Sequence, residues 1–241
     1  MNQREAVIEA MKLNGGYATL GTLYEDVMKV PDVKWGTRTP FASIRRIVQK
    51  SPQFFRIRPG LWALKDARKS IPPEILLEGK ITIKEQIRQT HSYYQGLITE
   101  IGNMKRFKTA VPAQDKNNIY LQKPLKSVAS LDRLYEFGYP HLVRKASTVD
   151  VIWFNNRMMP ESLFEVEHST DFRNSLVKFA ELQDFHCTFN IVSHAKRERQ
   201  FKTVLALSSF SAIADRVLFL SYERVAQWHS GTSILQLVGK I

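Results

Sequence analysis

The segment VDVIWFNNRMMPESLFEVEHST, residues 149–170, decides how this chain is read. Its first six residues, 149–154, combine β-branched and aromatic side chains and read as a strand. NNRMMP (155–160) is a loop, and LFEVEH (163–168) is a second strand. If the two strands form an antiparallel hairpin, symmetric pairing sets residue 154 against 163, 152 against 165 and 150 against 167. Side chains alternate between the faces of a strand. Asp150, Glu165 and Glu167 then share one face, and Val149, Val151, Trp153, Phe164 and Val166 occupy the other as a core face.

Three carboxylates crowded on one sheet face repel one another unless a cation compensates them. Hard oxygen ligands suit Mg²⁺ or Mn²⁺, which take one or two carboxylates and complete their shell with water and substrate phosphate. Such an ion polarises a phosphate and lowers the pKa of an attacking water. The other reading is a solvated strand face carrying ordinary surface acids.

The elements around this hairpin define an α/β layer with a mixed sheet. An apolar stripe through Ile83, Ile87, Tyr94, Leu97, Ile101 and Met104 predicts a helix over about 83–107. Residues 109–112 suggest a short strand, and a helix is expected over about 128–137. After the hairpin, Thr170 or Asp171 caps a predicted helix to about residue 183, with Phe172, Leu176, Phe179 and Ala180 on one face. Strands are predicted at 187–193 and 216–221, with a basic helix start at 194–199 between them.

The first 68 residues form a separate pattern, a small α+β unit. Ala6, Val7, Ala10 and Met11 recur at helical spacing, and Gly15 and Gly16 stop that helix. Thr19 caps a second helix bearing Leu20, Leu23, Val27 and Met28. Thr39 and Pro40 open a third, with Phe41, Ile44 and Ile47 inward and Arg45, Arg46, Gln49 and Lys50 outward. FRIR (55–58), Pro59, Gly60 and LWAL (61–64) read as strand, tight turn, strand. Three helices followed by a hairpin is the order of a winged helix-turn-helix. Residues 69–82, with a double proline and no periodicity, are the expected linker to a second domain spanning 83–241.

Composition bounds the partners. The 241 residues carry 35 Lys and Arg against 23 Asp and Glu, a net charge of +12. That excess suggests a polyanion, most simply nucleic acid. No apolar run reaches the roughly 18 residues a membrane span needs, and the start of the chain lacks a signal-peptide core, so a cytoplasmic location is expected. A single cysteine, Cys187, excludes an intramolecular disulfide and a Cys-rich zinc module. On the third helix, Arg and Gln suit guanine and adenine edges and Lys suits phosphate, with Arg38 just ahead and Arg56 and Arg58 on the hairpin as phosphate candidates. The competing reading is a solvated helix face.

Asp150 followed fifteen residues later by the Glu165–Glu167 triplet resembles the PD-(D/E)XK nuclease superfamily. The usual pattern places Glu-x-Lys on the second strand, and here Glu167 stands at the Lys position, as in restriction enzymes that use Glu-x-Glu. The resemblance covers about residues 83–221 and implies a restriction endonuclease-like core. It implies that Asp150, Glu165 and Glu167 bind the metal, and that Glu167 or Lys178 positions the attacking water. It also implies an acidic residue on the first helix, for which Glu100 is the candidate and Gln95 the second choice. Residues 39–46 and 55–64 resemble the HARE-type winged helix, which implies that Arg38, Thr39, Arg45, Arg46, Gln49, Lys50, Arg56 and Arg58 face double-stranded DNA.

Together the resemblances imply a Mg²⁺-dependent (or Mn²⁺-dependent) DNA endonuclease of restriction type. One carboxylate cluster per chain implies a homodimer, or two sequential nicks, for cutting both strands. A non-catalytic DNA-binding regulator with a degenerate nuclease fold is the alternative, and an RNA-directed nuclease is a third.

Overall fold

The computed structural model describes residues 1–79, 81–169 and 171–239. Lys80, in the expected linker, and Thr170, the first candidate cap, lie outside the described residues, as do Lys240 and Ile241. The chain divides into two compact units, residues 1–81 with 226–241, and residues 82–225.

The first unit opens with α1 (Gln3–Leu13), started by a capping box in which Asn2 and Glu5 satisfy each other's backbone N–H. A short strand, β1 (Tyr17–Thr19), follows, and Thr19 caps α2 (Leu20–Val27) through the Thr22 N–H. Next come α3 (Pro40–Lys50), with Pro40 at its first turn, and the hairpin β2 (Phe54–Arg58) and β3 (Leu61–Leu64). β1 pairs antiparallel with β3, giving the order β1–β3–β2. β1 is an addition to the sequence reading, since three residues are too short to show a period. Ile44 and Val48 are the buried residues of α3, while Phe41 and Ile47 are partly covered.

The stretch expected as a linker carries one helical turn, α4 (Pro73–Leu76), with Ile71 and Ile75 buried. The side chain of Arg58 donates to the Ile75 carbonyl and is itself buried.

The second unit begins with α5 (Ile83–Met104), whose capping box joins Thr82 and Glu85. It continues through β4 (Lys108–Ala110), the small hairpin β5 (Ile119–Tyr120) and β6 (Lys123–Pro124), and α6 (Pro140–Ala146). Then come β7 (Val151–Phe154), β8 (Pro160–Glu167), α7 (Phe172–Glu181), β9 (Thr188–Ser193), α8 (Glu198–Leu205) and β10 (Val217–Ser221). α9 (Tyr222–Val238) closes the chain, and its residues from Ala226 on group with the first unit, where Ile234 and Leu237 pack on that unit's core.

Among the described residues, five strands form a mixed sheet in the order β10–β9–β8–β7–β4. β4–β7 and β7–β8 are antiparallel, while β8–β9 and β9–β10 are parallel. The fold of this unit is therefore α/β with a mixed sheet. Both sheet faces are covered, not one as the hairpin pattern suggested. On one face the Trp153 indole donates to the Ile98 carbonyl of α5 and packs on Phe164. On the other, Ile152, Phe154, Leu163, Phe189 and Ile191 join Leu176 and Phe179 of α7 and Phe201 of α8 in one cluster.

The helix expected over 128–137 is absent. Leu125–Ser127 forms a 3₁₀ turn, and the residues after it run irregularly until Pro140, whose fixed φ starts α6. Leu131, Leu134 and Phe137 still pack on the core from that irregular run, which explains the apolar spacing.

The β7–β8 register is displaced by two residues from the symmetric pairing. Val151 lies opposite Phe164 and Ile152 opposite Leu163, with a bulge between Trp153 and Phe154. The cause is a tighter turn. The Asn155 carboxamide oxygen accepts the N–H groups of Arg157 and Met159, and Met158 takes φ of 60°. An even displacement preserves faces. It also moves Asp150 from opposite Glu167 to one step beyond the Val151–Phe164 pair, opposite Glu165.

α5 packs so closely on its neighbours that a Cβ at Gly96 would lie 2.1 Å from the Tyr120 ring. Gly96→Ala should cost about 1–3 kcal/mol by overpacking. For a chain of this size that lowers Tm by roughly 2–4 °C per kcal/mol. In α9, a Cβ at Gly231 would meet nothing within 4 Å, so Gly231→Ala should be neutral or stabilising by up to about 1 kcal/mol. Thermal and urea unfolding of both variants checks the contrast.

Candidate functional site

The start of β7 and the end of β8 lie side by side at one end of the sheet, reached by His91 of α5 and Lys178 of α7. Asp150, Glu165 and Glu167 meet there and are all buried, at 8%, 3% and 7% exposure. Strand alternation puts Glu165 and Glu167 on one face, and the pairing of β7 brings Asp150 to them.

Each carboxylate is held differently. Asp150 Oδ2 accepts the Val166 backbone N–H at 2.7 Å and lies 3.0 Å from His91 Nε2 on α5. Lys178 Nζ reaches both oxygens of Glu165 at 2.9 Å and donates to the Thr148 carbonyl at 2.9 Å. The Ser175 hydroxyl lies between Glu165 and Glu167, 3.2 Å from Glu165 Oε2 and in a short contact with Glu167. Ser193 and Arg197 donate to the Glu167 backbone carbonyl, at 2.5 and 3.1 Å, and fix the end of β8.

The electrostatics follow from crowding under burial. Desolvation pushes the Glu165 carboxyl well above the usual carboxylate range, and Asp150 raises it further against the pull of Lys178. Desolvation also raises Glu167, opposed by the Ser175 hydrogen bond. For His91, burial works against the charged form, but the charge of Asp150 and its hydrogen bond outweigh it and lift the imidazole to about 9.

Sequence reasoning did not single out His91. Its signal is the four-residue spacing to Gln95, which puts both on one face of α5. Gln95 donates to the Asp150 backbone carbonyl at 3.0 Å and to Asp115 at 2.9 Å. Glu100, the first-helix candidate, sits elsewhere. It is nine residues beyond His91, about 13 Å along the helix axis, and accepts the Tyr120 hydroxyl at 2.9 Å.

The proposed DNA-facing residues fall in the first unit. Arg45, Arg46, Gln49 and Lys50 are exposed on α3, as are Arg38, Thr39 and Arg56. Arg45 also donates to the Tyr24 hydroxyl at 3.2 Å. Arg58, a phosphate candidate by sequence, is instead turned inward to Ile75, because the bulge between Arg56 and Arg58 reverses its side.

The geometry defines a buried carboxylate cluster on a mixed α/β layer, and comparison with known proteins gives its class. Residues 70–236 match the family described as the type II restriction enzyme NmeDI C-terminal domain. The match spans well over half of the chain, and the chain belongs to this family. It is similar to the type II restriction enzyme NmeDI of Neisseria meningitidis serogroup C, at 26% identity over 103 residues, 41% of this chain and 29% of that enzyme. The alignment thus covers less than a third of the relative. No solved structure matches the chain.

Lys178→Met removes the cation beside Glu165 and should destabilise the protein by about 1–3 kcal/mol at neutral pH, the cost of stranding a buried acceptor. A carboxyl whose folded pKa is raised is best tolerated below its unfolded pKa, and its stability contribution is lost as pH rises toward the folded value. Lys178→Met raises Glu165 further, so its deficit should be larger at pH 8 than at pH 5. Urea unfolding in chelator at both values measures it.

Proposed function

We propose that this chain is a metal-dependent DNA endonuclease of the PD-(D/E)XK type. The observation that supports it most is the buried grouping of Asp150, Glu165 and Glu167 at one sheet end, with the half-buried Lys178 against Glu165, in a chain of a restriction-enzyme family.

The donor set fits a hard divalent cation. Among the described residues no group of three or more His, Cys, Asp or Glu side chains is arranged to hold a metal ion, so the fit rests on the oxygens of the Asp150–Glu165 pair, with water and substrate phosphate completing the shell. Two carboxylates, Asp150 and Glu165, lie across one strand pair, where burial first and the neighbouring Asp150 charge second raise the Glu165 carboxyl. Mg²⁺ or Mn²⁺ held there by Asp150 and Glu165, with Glu167 beside them, would polarise the scissile phosphate and acidify water.

The protein's own groups supply the rest. Lys178 replaces in space what the Glu-x-Glu sequence lacks. It enters from α7, and its ammonium lies 2.9 Å from both oxygens of Glu165, where it would support an attacking water or a phosphate oxygen. Glu167, held by Ser175, would orient that water. The first unit, in the helix and hairpin order of a HARE-type winged helix, would hold double-stranded DNA through Arg38, Thr39, Arg45, Arg46, Gln49, Lys50 and Arg56. A homodimer would cut both strands. Among the described residues no helix is long and apolar enough to cross a membrane, and a cytoplasmic restriction role is in keeping with a DNA substrate. Nothing in the family match favours a non-catalytic regulator.

Purified protein should cleave plasmid or phage DNA, in a modified or unmodified form, with Mg²⁺ and not with EDTA. Asp150→Asn and Glu165→Gln should abolish cleavage, while Glu100→Gln should retain it. Absence of metal-dependent cleavage across such a panel would overturn the reading. Arg45→Ala with Arg46→Ala should weaken DNA binding and make the salt slope of log K shallower by about 0.9 for each phosphate that the variant no longer neutralises.

A further inference from the structure

Asp150 is clamped from α5 as well as from its own sheet. The Val166 N–H and His91 Nε2 both meet Oδ2, at 2.7 and 3.0 Å, and Gln95 grips the backbone carbonyl of the same residue at 3.0 Å. The two side-chain hydrogen bonds fall on one oxygen and leave Oδ1. A carboxylate turns about χ2 in a broad well. One backbone donor alone leaves its plane free to swing, and a second donor from a separate element sets the plane.

We propose that His91 is a positioning residue that aims Asp150 Oδ1 at the divalent cation, with Gln95 anchoring the main chain beneath it. This inference rests on the reading of Asp150 as a metal ligand. A ligand nitrogen presents a lone pair to its ion, and Nε2 is engaged with Asp150 Oδ2. His91 therefore acts through the carboxylate and not as a ligand at that nitrogen. The role needs a hydrogen on Nε2 in either charge state, because both the imidazolium and the neutral tautomer with hydrogen on that nitrogen can donate. Carboxylate ligands in metal sites are themselves hydrogen-bonded, and loss of such a partner typically costs about 10–100-fold in metal affinity or activity.

The geometry also explains why His91 and Gln95 recur on one face of α5. Asp115, on the turn before β5, receives the second hydrogen of the Gln95 amide and a hydrogen bond from Asn118 at 3.0 Å. Gln95 is thereby fixed from two sides, and α5 delivers two donors to one residue of the sheet.

The test uses the full chain and Mn²⁺ as the probe, titrated calorimetrically into wild type, His91→Phe, His91→Gln and Asp150→Asn. His91→Phe keeps a ring and removes the donor. Its Mn²⁺ affinity should fall about 10–100-fold. His91→Gln restores a donor near the Nε2 position and should recover most of the affinity. With DNA cleavage as a second readout, His91→Phe should lower kcat and leave KM for DNA near the wild-type value. Pulsed EPR of Mn²⁺ on the wild type should show no directly coupled histidine nitrogen.

Wild-type Mn²⁺ affinity in folded His91→Phe would overturn the proposal, as would a His91→Gln variant no better than His91→Phe, or a directly coupled nitrogen. Loss of Mn²⁺ binding in Asp150→Asn with none in His91→Phe defeats this inference alone. A wild type that binds no Mn²⁺, indistinguishable from Asp150→Asn, defeats the metal reading and this inference with it.

Discussion

The second unit is organised around the burial of three acidic side chains at one end of a sheet. Carboxylates taken out of water are tolerated only with hydrogen bonds and opposite charge around them. Here each neighbouring element contributes at least one such group. α5 brings His91, the β8 backbone brings the Val166 N–H, and α7 brings Ser175 and Lys178. The helices on the two sheet faces therefore converge on the same few atoms.

Strand direction makes this convergence possible. β7 enters the sheet where β8 leaves it, because the two are antiparallel. β9 runs parallel to β8 and ends at the same edge, where Ser193 and Arg197 hold the Glu167 carbonyl. α7 is the crossover between β8 and β9, and its apolar face, Phe172, Leu176 and Phe179, is spent on the core. Ser175 and Lys178, one turn apart, are what remains to face the acids. Apolar packing thus sets the orientation of the polar groups, and a site of this kind loses its geometry if the core shifts.

Much of this was legible in the residues. The strands of the hairpin, the long helix over 83–104, the helix capped by Asp171 and the strand before His194 each carry a local period or cap that the chain obeys. The shared face of Asp150, Glu165 and Glu167 follows from alternation and an antiparallel pairing of the right parity, and it survives a two-residue change of register. Other features had no local signal. α9 has apolar residues on all sides, so no stripe marks it. The run from residue 128 to 137 has helical apolar spacing and is irregular, because tertiary packing holds those side chains without a helix. Arg58 looks like its exposed neighbour Arg56 until a bulge turns it inward.

By itself, then, the sequence determined which residues are acidic, which face of each strand they take, and where the helices begin, since period, capping and alternation act within a few residues. Only the tertiary structure decided that Asp150 stands opposite Glu165, that Lys178 and not an adjacent strand residue reaches the acids, that His91 holds Asp150 across 59 positions of chain, and that Glu100 belongs to a different neighbourhood. Those pairings depend on the turn at Asn155 and on helices laid over the sheet. Contacts between residues far apart in the chain leave no trace in the local pattern.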